Sequence, residues 1–387
     1  MERQIIHSLR YSTIDLPRLT AAPQVLKATL AANPNLDPKL IQDVTIGTVL
    51  SELGGSKAGR MAALAAGLPN TSGFSTTNRA CASGHQAITN TAHQIALGQI
   101  DVGIGGGMES MSRNYGSKAI PTALWDGLRN SENKDARDCI MSMGITAENV
   151  AERYKVSREA QDAFAAASQA KALKAQKDGL FDAEIIPVST RWTDPKAENA
   201  QPQDVTITKD DGIRATTAEK LATMKPAFKP DGTCTAGNAS QISDGAAAVL
   251  MMRRSTATEL GLSSSIIGKW AGTQVVGCAP DEMGIGPLLA IPKLLEYTGI
   301  KLEEVGIWEI NEAFASQAVA SVRDLGIDEA KVNPKGGAIA LGHPLGATGA
   351  RQLCSLLPEL ERQGLQMGVT SACIGTGMGI ASLFVRE

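Results

Sequence analysis

C-A-S-G-H-Q-A-I-T-N-T-A-H-Q-I-A-L-G-Q-I-D-V-G-I-G-G-G, residues 81–107, reads as a helix, a cap and a strand. Small and apolar residues recur at helical spacing from Cys81 to Leu97, and Gly98 supplies the C-terminal cap. Asp101–Gly107 is then too short for a helix and suits a buried strand. The same order returns near the end of the chain. Ala347-Thr348-Gly349 opens a helix that runs to Leu360 and ends near Gly364, before the strand Met367–Ala372. Gly84 precedes Gly103 by 19 residues and Gly349 precedes Gly368 by the same 19. Chance likeness of two α/β segments is the competing explanation. Internal duplication is favoured, with each half alternating strands and helices to build a mostly parallel sheet.

The flanking sequence extends both halves. Before residue 81 come a helix from Gln24, a buried strand Asp43–Leu50, a small-residue helix Ala58–Ala66 and a loop through Ser75–Gly84. Before residue 347 come a strand Val305–Ile310 and a helix from Asn311 to its cap at Gly326. Arg113–Ala236 differs in character: it is rich in charge and proline, with helical patches Ile145–Tyr154 and Arg158–Lys177 and a polar run Thr190–Lys220. An insertion of that size over one edge of a duplicated core is expected to be a lid or a binding region.

The totals narrow the function classes. A chain of 387 residues is too long for one core. Its 43% hydrophobic and 20% charged content is that of a soluble globular protein, and a net charge of -3 gives no global reason to expect nucleic acid or an anionic membrane. No apolar run approaches the roughly 18 residues of a membrane helix. Six cysteines without a C-x-x-C pair, and only four histidines, argue against zinc. Nothing at the start reads as a secretory signal, so free thiols in a reducing compartment are expected. The C-terminal V-R-E is not the S-K-L peroxisomal address.

Three residues stand out chemically. Cys81 lies at the start of its helix, where the dipole favours a thiolate and small neighbours admit a bulky ligand. An inert buried cysteine is the alternative. His343 sits in the glycine-rich Asn333–Arg351, which a flexible loop would also explain. Cys373 opens C-I-G-T-G-M-G, whose glycines leave N–H groups free to face an anion. A dinucleotide fingerprint fails at Ile380 and Met108, where glycine is required, and Gly54–Arg60 is no P-loop. Two thiols, an imidazole and oxyanion donors suit carbon–carbon bond exchange on thioesters: one sulfur holds the acyl group while a base moves a proton at the α carbon. His343 fits as the acceptor of the nucleophile's proton.

N-R-A-C-A-S-G (78–84), G-N-A-S-Q-I-S-D-G-A-A (237–247), N-E-A-F-A (311–315), G-G-A-I-A-L-G-H-P-L-G (336–346) and C-I-G-T-G-M-G (373–379) together resemble the thiolases, the acetyl-CoA acyltransferases. The resemblance runs from about residue 24 to the C-terminus, in the family's motif order. It implies an α/β, five-layered α-β-α-β-α duplicated fold with residues 1–112 as the N-terminal half, continuing through about 237–262. Residues 113–236 would then be a loop domain for CoA, and 263–387 the C-terminal half. It implies Cys81 as the acylated nucleophile, His343 as its activator and Cys373 as the acid/base at the α carbon. Asn311 would hold a water that with His343 makes one oxyanion hole, and the N–H groups of Cys81 and Gly375 would make the other. A helix N-cap is the compatible structural reading of Asn311. Ser240 matches a CoA-contacting serine, Met143 and Phe314 residues near the acyl and pantetheine end, and Arg214 an arginine near the nucleotide. CoA would be a co-substrate, with no metal or other cofactor, in a homodimer or homotetramer.

S-M-G-I-T-A-E-N-V-A (142–151) resembles the degradative 3-ketoacyl type, which implies thiolysis in fatty-acid β-oxidation and a peroxisomal location, with cytoplasm or mitochondrion as alternatives. A biosynthetic acetoacetyl-CoA thiolase is the enzymatic rival. The N-terminal residues depart from the family pattern and from its R-L-x5-H-L signal, so the first core strand is expected to be missing or altered, with Ile5–Leu9 as a short substitute. That departure also motivates a third reading, a thiolase-like acyl-CoA binding subunit without turnover.

Overall fold

The computed structural model describes residues 3–13, as backbone, together with 21–115, 120–121, 123–193 and 201–387. Its strands are β1 Arg3–Thr13, β2 Asp43–Gly47, β3 Gly73–Thr77, β4 Val102–Ser110, β5 Val188–Trp192, β6 Gln203–Ile207, β7 Asp244–Arg253, β8 Gly268–Gly277, β9 Ile307–Ile310, β10 Met367–Ile374 and β11 Met378–Arg386. Among the described residues nine of these form one sheet in the order β3-β2-β4-β7-β1-β8-β11-β10-β9, and β5 and β6 pair separately.

The sheet is its own evidence of duplication. On one side β3 and β4 flank β2 in parallel, β4 pairs antiparallel with β7, and β7 antiparallel with β1. On the other, β9 pairs parallel with β10, β10 antiparallel with β11, and β11 antiparallel with β8. A parallel bridge from Trp308 to Val332 stands where β3 stands in the first half. The helices follow suit: Ala21–Ala31 after β1 answers Gly286–Thr298 after β8, Ser56–Ala65 after β2 answers Ala315–Leu325 after β9, and Ser83–Ala96 answers Thr348–Gln363.

The first core strand, expected to be missing or altered with Ile5–Leu9 as a short substitute, is present as β1 and extends beyond that stretch at both ends. It runs beside β7 from Arg3↔Arg253 to Thr13↔Asp244, with a register shift between Ile5 and His7, and touches β8 at Gln4↔Lys269 and Ile5↔Gly268. Strand pairing uses backbone groups, so a divergent sequence can still satisfy the N–H and C=O row that β7 presents. The sheet is mixed and not mostly parallel as expected, since five of the eight pairings among its described strands are antiparallel, and other boundaries differ too. β3 lies inside the stretch read as a loop, and β8 and β11 went unread.

β7 shows why these strands look continuously apolar in sequence. Ala246, Ala248, Leu250 and Met252 face the core under the helix Ala21–Ala31, while Ala247, Val249 and Met251 face the opposite core with Leu353, Leu356 and Phe384. A period of two between two buried faces leaves no polar side. The helix Thr348–Gln363 is buried nearly throughout and packs on the helix Ser83–Ala96 and on strands of both halves. It therefore forms part of the central layer of an α/β fold, and each fully buried leucine in it stabilises that layer by about 1.5–3 kcal/mol. Gly364, at φ +67°, ends it in the left-handed conformation that glycine alone adopts cheaply.

Within 113–236, the helices Met143–Arg153 and Arg158–Lys177 and the β5–β6 hairpin supply regular structure. The long helix packs on Ala315–Leu325 and on the short helix Ala338–Leu341, which carries the chain towards residue 343.

Candidate functional site

Cys81 stands in an elbow between β3 and the helix Ser83–Ala96. Ala80 takes a positive φ of 42°, which a non-glycine residue holds only under constraint. Ser83 Oγ supplies that constraint, accepting the Arg79 N–H at 2.9 Å and donating to the Ala80 carbonyl at 2.7 Å. Cys81 is 8% exposed. Burial pushes the thiol above its ordinary range, against the N–H groups of Gly375 and of Cys81 itself, which favour the thiolate. Against the expectation of a favoured thiolate, desolvation outweighs these backbone donors.

His343 is 5% exposed, and its backbone N–H donates to the Gln241 carbonyl at 3.1 Å. Its Nδ1 lies 2.7 Å from Thr348 Oγ1, while that hydroxyl donates to the Pro344 carbonyl at 3.0 Å. With its proton so committed, the hydroxyl accepts from Nδ1–H. That fixes the tautomer and leaves the lone pair on Nε2, 3.3 Å from Asn311 Nδ2, which donates to it. Burial, with the Arg351 charge, lowers the imidazole pKa to about 3, so the ring is neutral.

Asn311 is fully buried and is not the helix N-cap, a position held by Phe314. Its N–H donates to the Ser371 carbonyl at 2.8 Å and its carbonyl accepts from Gln317 Nε2 at 2.6 Å, while Oδ1 has no hydrogen-bond partner among the described residues. Next to it, the carboxylate of Glu312 accepts from Ser168 Oγ and Asn333 Nδ2, each at 2.7 Å, and from the Ile339 N–H at 3.2 Å. One carboxylate thus ties the helix Arg158–Lys177 to the segment leading to His343.

Cys373 is fully buried in β10. Burial raises its thiol well above the ordinary value, and the neighbouring Cys81 and Cys278 raise it further. Met143 and Phe314 pack with Met283 and Ala313 around it, and Phe314 meets Phe228 edge to face at 5.8 Å. Met143 Sδ is 3.8 Å from where a Cβ on Gly375 would lie. Ser240 adjoins this group through its N–H to the Ala313 carbonyl at 3.0 Å. Arg214 is farther out and exposed, joined by Nη2 to Gln241 Oε1 at 3.3 Å.

The structure therefore brings Cys81, Gly375 and Cys373 together, joins Asn311 to His343, and sets Met143, Phe314 and Ser240 alongside, with Arg214 at the margin. Sequence reasoning missed Thr348, Glu312, Gln241 and Glu109. Glu109 had a readable signal: it is an acid ending the apolar, glycine-rich run of β4. The two halves meet at this point so closely that a Cβ on Gly107 would fall 2.1 Å from the Gly346 carbonyl oxygen.

Residues 4–255 match the family model of the thiolase N-terminal domain, and 264–386 that of the thiolase C-terminal domain. The chain is 54% identical over 359 residues to the peroxisomal 3-ketoacyl-CoA thiolase of Yarrowia lipolytica, a match covering 92% of this chain and 85% of the relative. It is 50% identical to the human peroxisomal 3-ketoacyl-CoA thiolase over 370 residues, 94% of this chain and 85% of the relative. Among solved structures, the dimeric peroxisomal thiolase of Saccharomyces cerevisiae superposes with a TM-score of 0.88 at 42% identity, covering 100% of this chain and 98% of that one. The acetyl-CoA acetyltransferase of Bacillus anthracis superposes with a TM-score of 0.87 at 37% identity, covering 100% and 99%.

Proposed function

The chain belongs to the thiolase family, and from that premise we propose that it is a 3-ketoacyl-CoA thiolase of fatty-acid β-oxidation. It cleaves 3-ketoacyl-CoA with CoA to give acetyl-CoA and a shortened acyl-CoA, and its compartment is the peroxisome. Supporting this reading above all is the buried cluster in which the Gly375 N–H faces the Cys81 sulfur while Cys373 lies beside it.

In the first half-reaction His343 Nε2 takes the Cys81 proton as the sulfur attacks the 3-keto carbon. The N–H groups of Cys81 and Gly375 hold one oxyanion of the cycle, and a water on Asn311 with His343 holds the other. The bond between carbons 2 and 3 breaks, and Cys373 gives its proton to the departing α carbon, releasing acetyl-CoA. In the second half, the Cys373 thiolate takes the proton of incoming CoA, whose sulfur attacks the acyl-cysteine. Acyl-CoA leaves, and the imidazolium returns its proton to Cys81. Because burial raises the thiol and lowers the imidazole, the resting pair is neutral, and charge forms only as the oxyanion is captured.

Ser240 and Arg214 hold CoA, Met143 and Phe314 line the acyl and pantetheine channel, and residues 113–236 serve as the loop domain. CoA is a co-substrate. A homodimer is the assembly, and β3, the end strand of the sheet among the described residues, is a surface available to a second copy. Sedimentation would reveal a tetramer instead. β1 fills the place of the divergent first strand, so the motive for a non-catalytic subunit falls away.

The test is mass spectrometry after incubation with acetoacetyl-CoA and with a long-chain 3-ketoacyl-CoA. The acyl group is expected on Cys81, and an active Cys81→Ala variant would reject the mechanism. Strong preference for the four-carbon substrate would favour the acetoacetyl-CoA reading, which the likeness to the Bacillus anthracis enzyme keeps in view.

A further inference from the structure

We propose that Glu109 is a positioning residue for this reaction, its carboxylate clipping the loop that carries His343 to the half of the molecule that carries Cys81. The inference rests on the thiolytic reading above. Glu109 lies at the C-terminal end of β4 and is 2% exposed. Its Oε2 accepts the N–H of Val49 at 2.9 Å and of Gly346 at 3.0 Å, and Oε1 accepts that of Leu50 at 3.1 Å. Val49 and Leu50 follow β2 in the first half, whereas Gly346 is three residues beyond His343 in the second. One carboxylate therefore spans the junction at the point where the backbones of Gly107 and Gly346 are in contact.

Three N–H donors converge on an acceptor-only group, so the clip is strongest when the carboxyl is ionised. Burial opposes ionisation more than the donors favour it and brings the carboxyl to about 7. The ionisable groups that act with it are Asp244 on β7, across the sheet and held by Ser110 and Ser112, and Cys81. Its effect on Cys81 is the smallest of the influences on that thiol, so its principal action is through the loop. The clip tightens as the carboxyl loses its proton, and the imidazole settles against Asn311 and the substrate.

The experiment measures thiolysis by the full-length chain against pH, with Glu109→Gln and Asp244→Asn variants, and hydrogen exchange at Gly346. The wild-type kcat should rise with pH through about 7. Glu109→Gln should lower kcat roughly 10- to 100-fold, the scale of a small misplacement of a catalytic group, leave KM for CoA little changed, and abolish that rise. Asp244→Asn removes a like charge and should move the rise to lower pH. A Glu109→Gln variant that keeps the wild-type kcat, or loses activity yet keeps the rise, overturns the proposal. Should that variant fail to fold, an unmoved rise in Asp244→Asn overturns it. If the wild type cleaves no ketoacyl-CoA, the functional reading fails instead. The clip is then judged by exchange at Gly346, and no acceleration in Glu109→Gln overturns it.

Discussion

Thr348→Val tests the fixed tautomer of His343 with the least disturbance of shape. The hydroxyl is fully buried, accepts Nδ1–H at 2.7 Å and donates to the Pro344 carbonyl at 3.0 Å. Valine keeps the volume and the branching but leaves Nδ1–H without that acceptor in a buried site. An unsatisfied buried donor costs about 1–3 kcal/mol. If that cost is relieved by reorientation or by a switch to the Nε2–H tautomer, it falls on the barrier, because Nε2 must present its lone pair to Cys81. At about 1.36 kcal/mol per tenfold change, kcat for thiolysis should fall roughly 5- to 160-fold. Thr348→Ser should keep most of the activity, since it keeps the oxygen. Steady-state kinetics with acetoacetyl-CoA, alongside the rate of Cys81 alkylation by iodoacetamide, measures both the chemistry and the readiness of the thiol. A folded Thr348→Val enzyme with wild-type kcat and alkylation rate would refute the argument that this hydrogen bond sets the base.

Lys335 and Glu184 form a buried pair at 3.2 Å with the ammonium 5.4 Å from the Phe181 ring centre. Lys335→Met alone should destabilise by about 3–5 kcal/mol in thermal or denaturant unfolding, and adding Glu184→Leu should recover much of it, since the cost lies in the uncompensated charge. Gly107→Ala would put a methyl group 2.1 Å from the Gly346 carbonyl oxygen, so thiolysis should fall at least about tenfold, with the loss of position that such crowding brings; an alanine variant with normal kcat would show that the junction yields. Burial raises the Glu309 carboxyl from 4.5 to about 7 beside Arg351. The folded chain then holds this proton to higher pH than the unfolded chain, so unfolding free energy should decline as pH rises across that window. Glu309→Gln should flatten the decline, and an unchanged slope in urea titrations would contradict it.

The duplication was legible because its parts are local. A helix, a glycine cap and a strand repeat at one spacing, and Arg158–Lys177 was bounded as observed because a capping serine, Ser157, and continuous helical periodicity mark its ends. Two strands that the sequence pattern does not announce, β8 and β11, pair with each other at long range, as β8 does with β1, while β11 also folds back on β10 in a tight hairpin. Their periodicity is blurred by partial burial in one and burial on both faces in the other. The side chains of residues 3–13 do not announce a full core strand, so only Ile5–Leu9 is expected there as a short substitute, whereas the strand's place in the sheet depends on backbone groups that β7 leaves to be paired.

By itself the sequence determined the α/β halves and the residue types that meet in them: two sulfurs, an imidazole and the glycines around them. Those features follow from periodicity, turn chemistry and side-chain reactivity, which a linear chain already carries. Only the tertiary structure decided that Cys81 is desolvated rather than ionised, that Thr348 orients His343, that Asn311 faces the imidazole instead of capping a helix, and that Glu109 joins the halves. Each depends on burial or on hydrogen bonds whose geometry the folded chain sets, in most cases between segments far apart in sequence, and local pattern does not encode such distances.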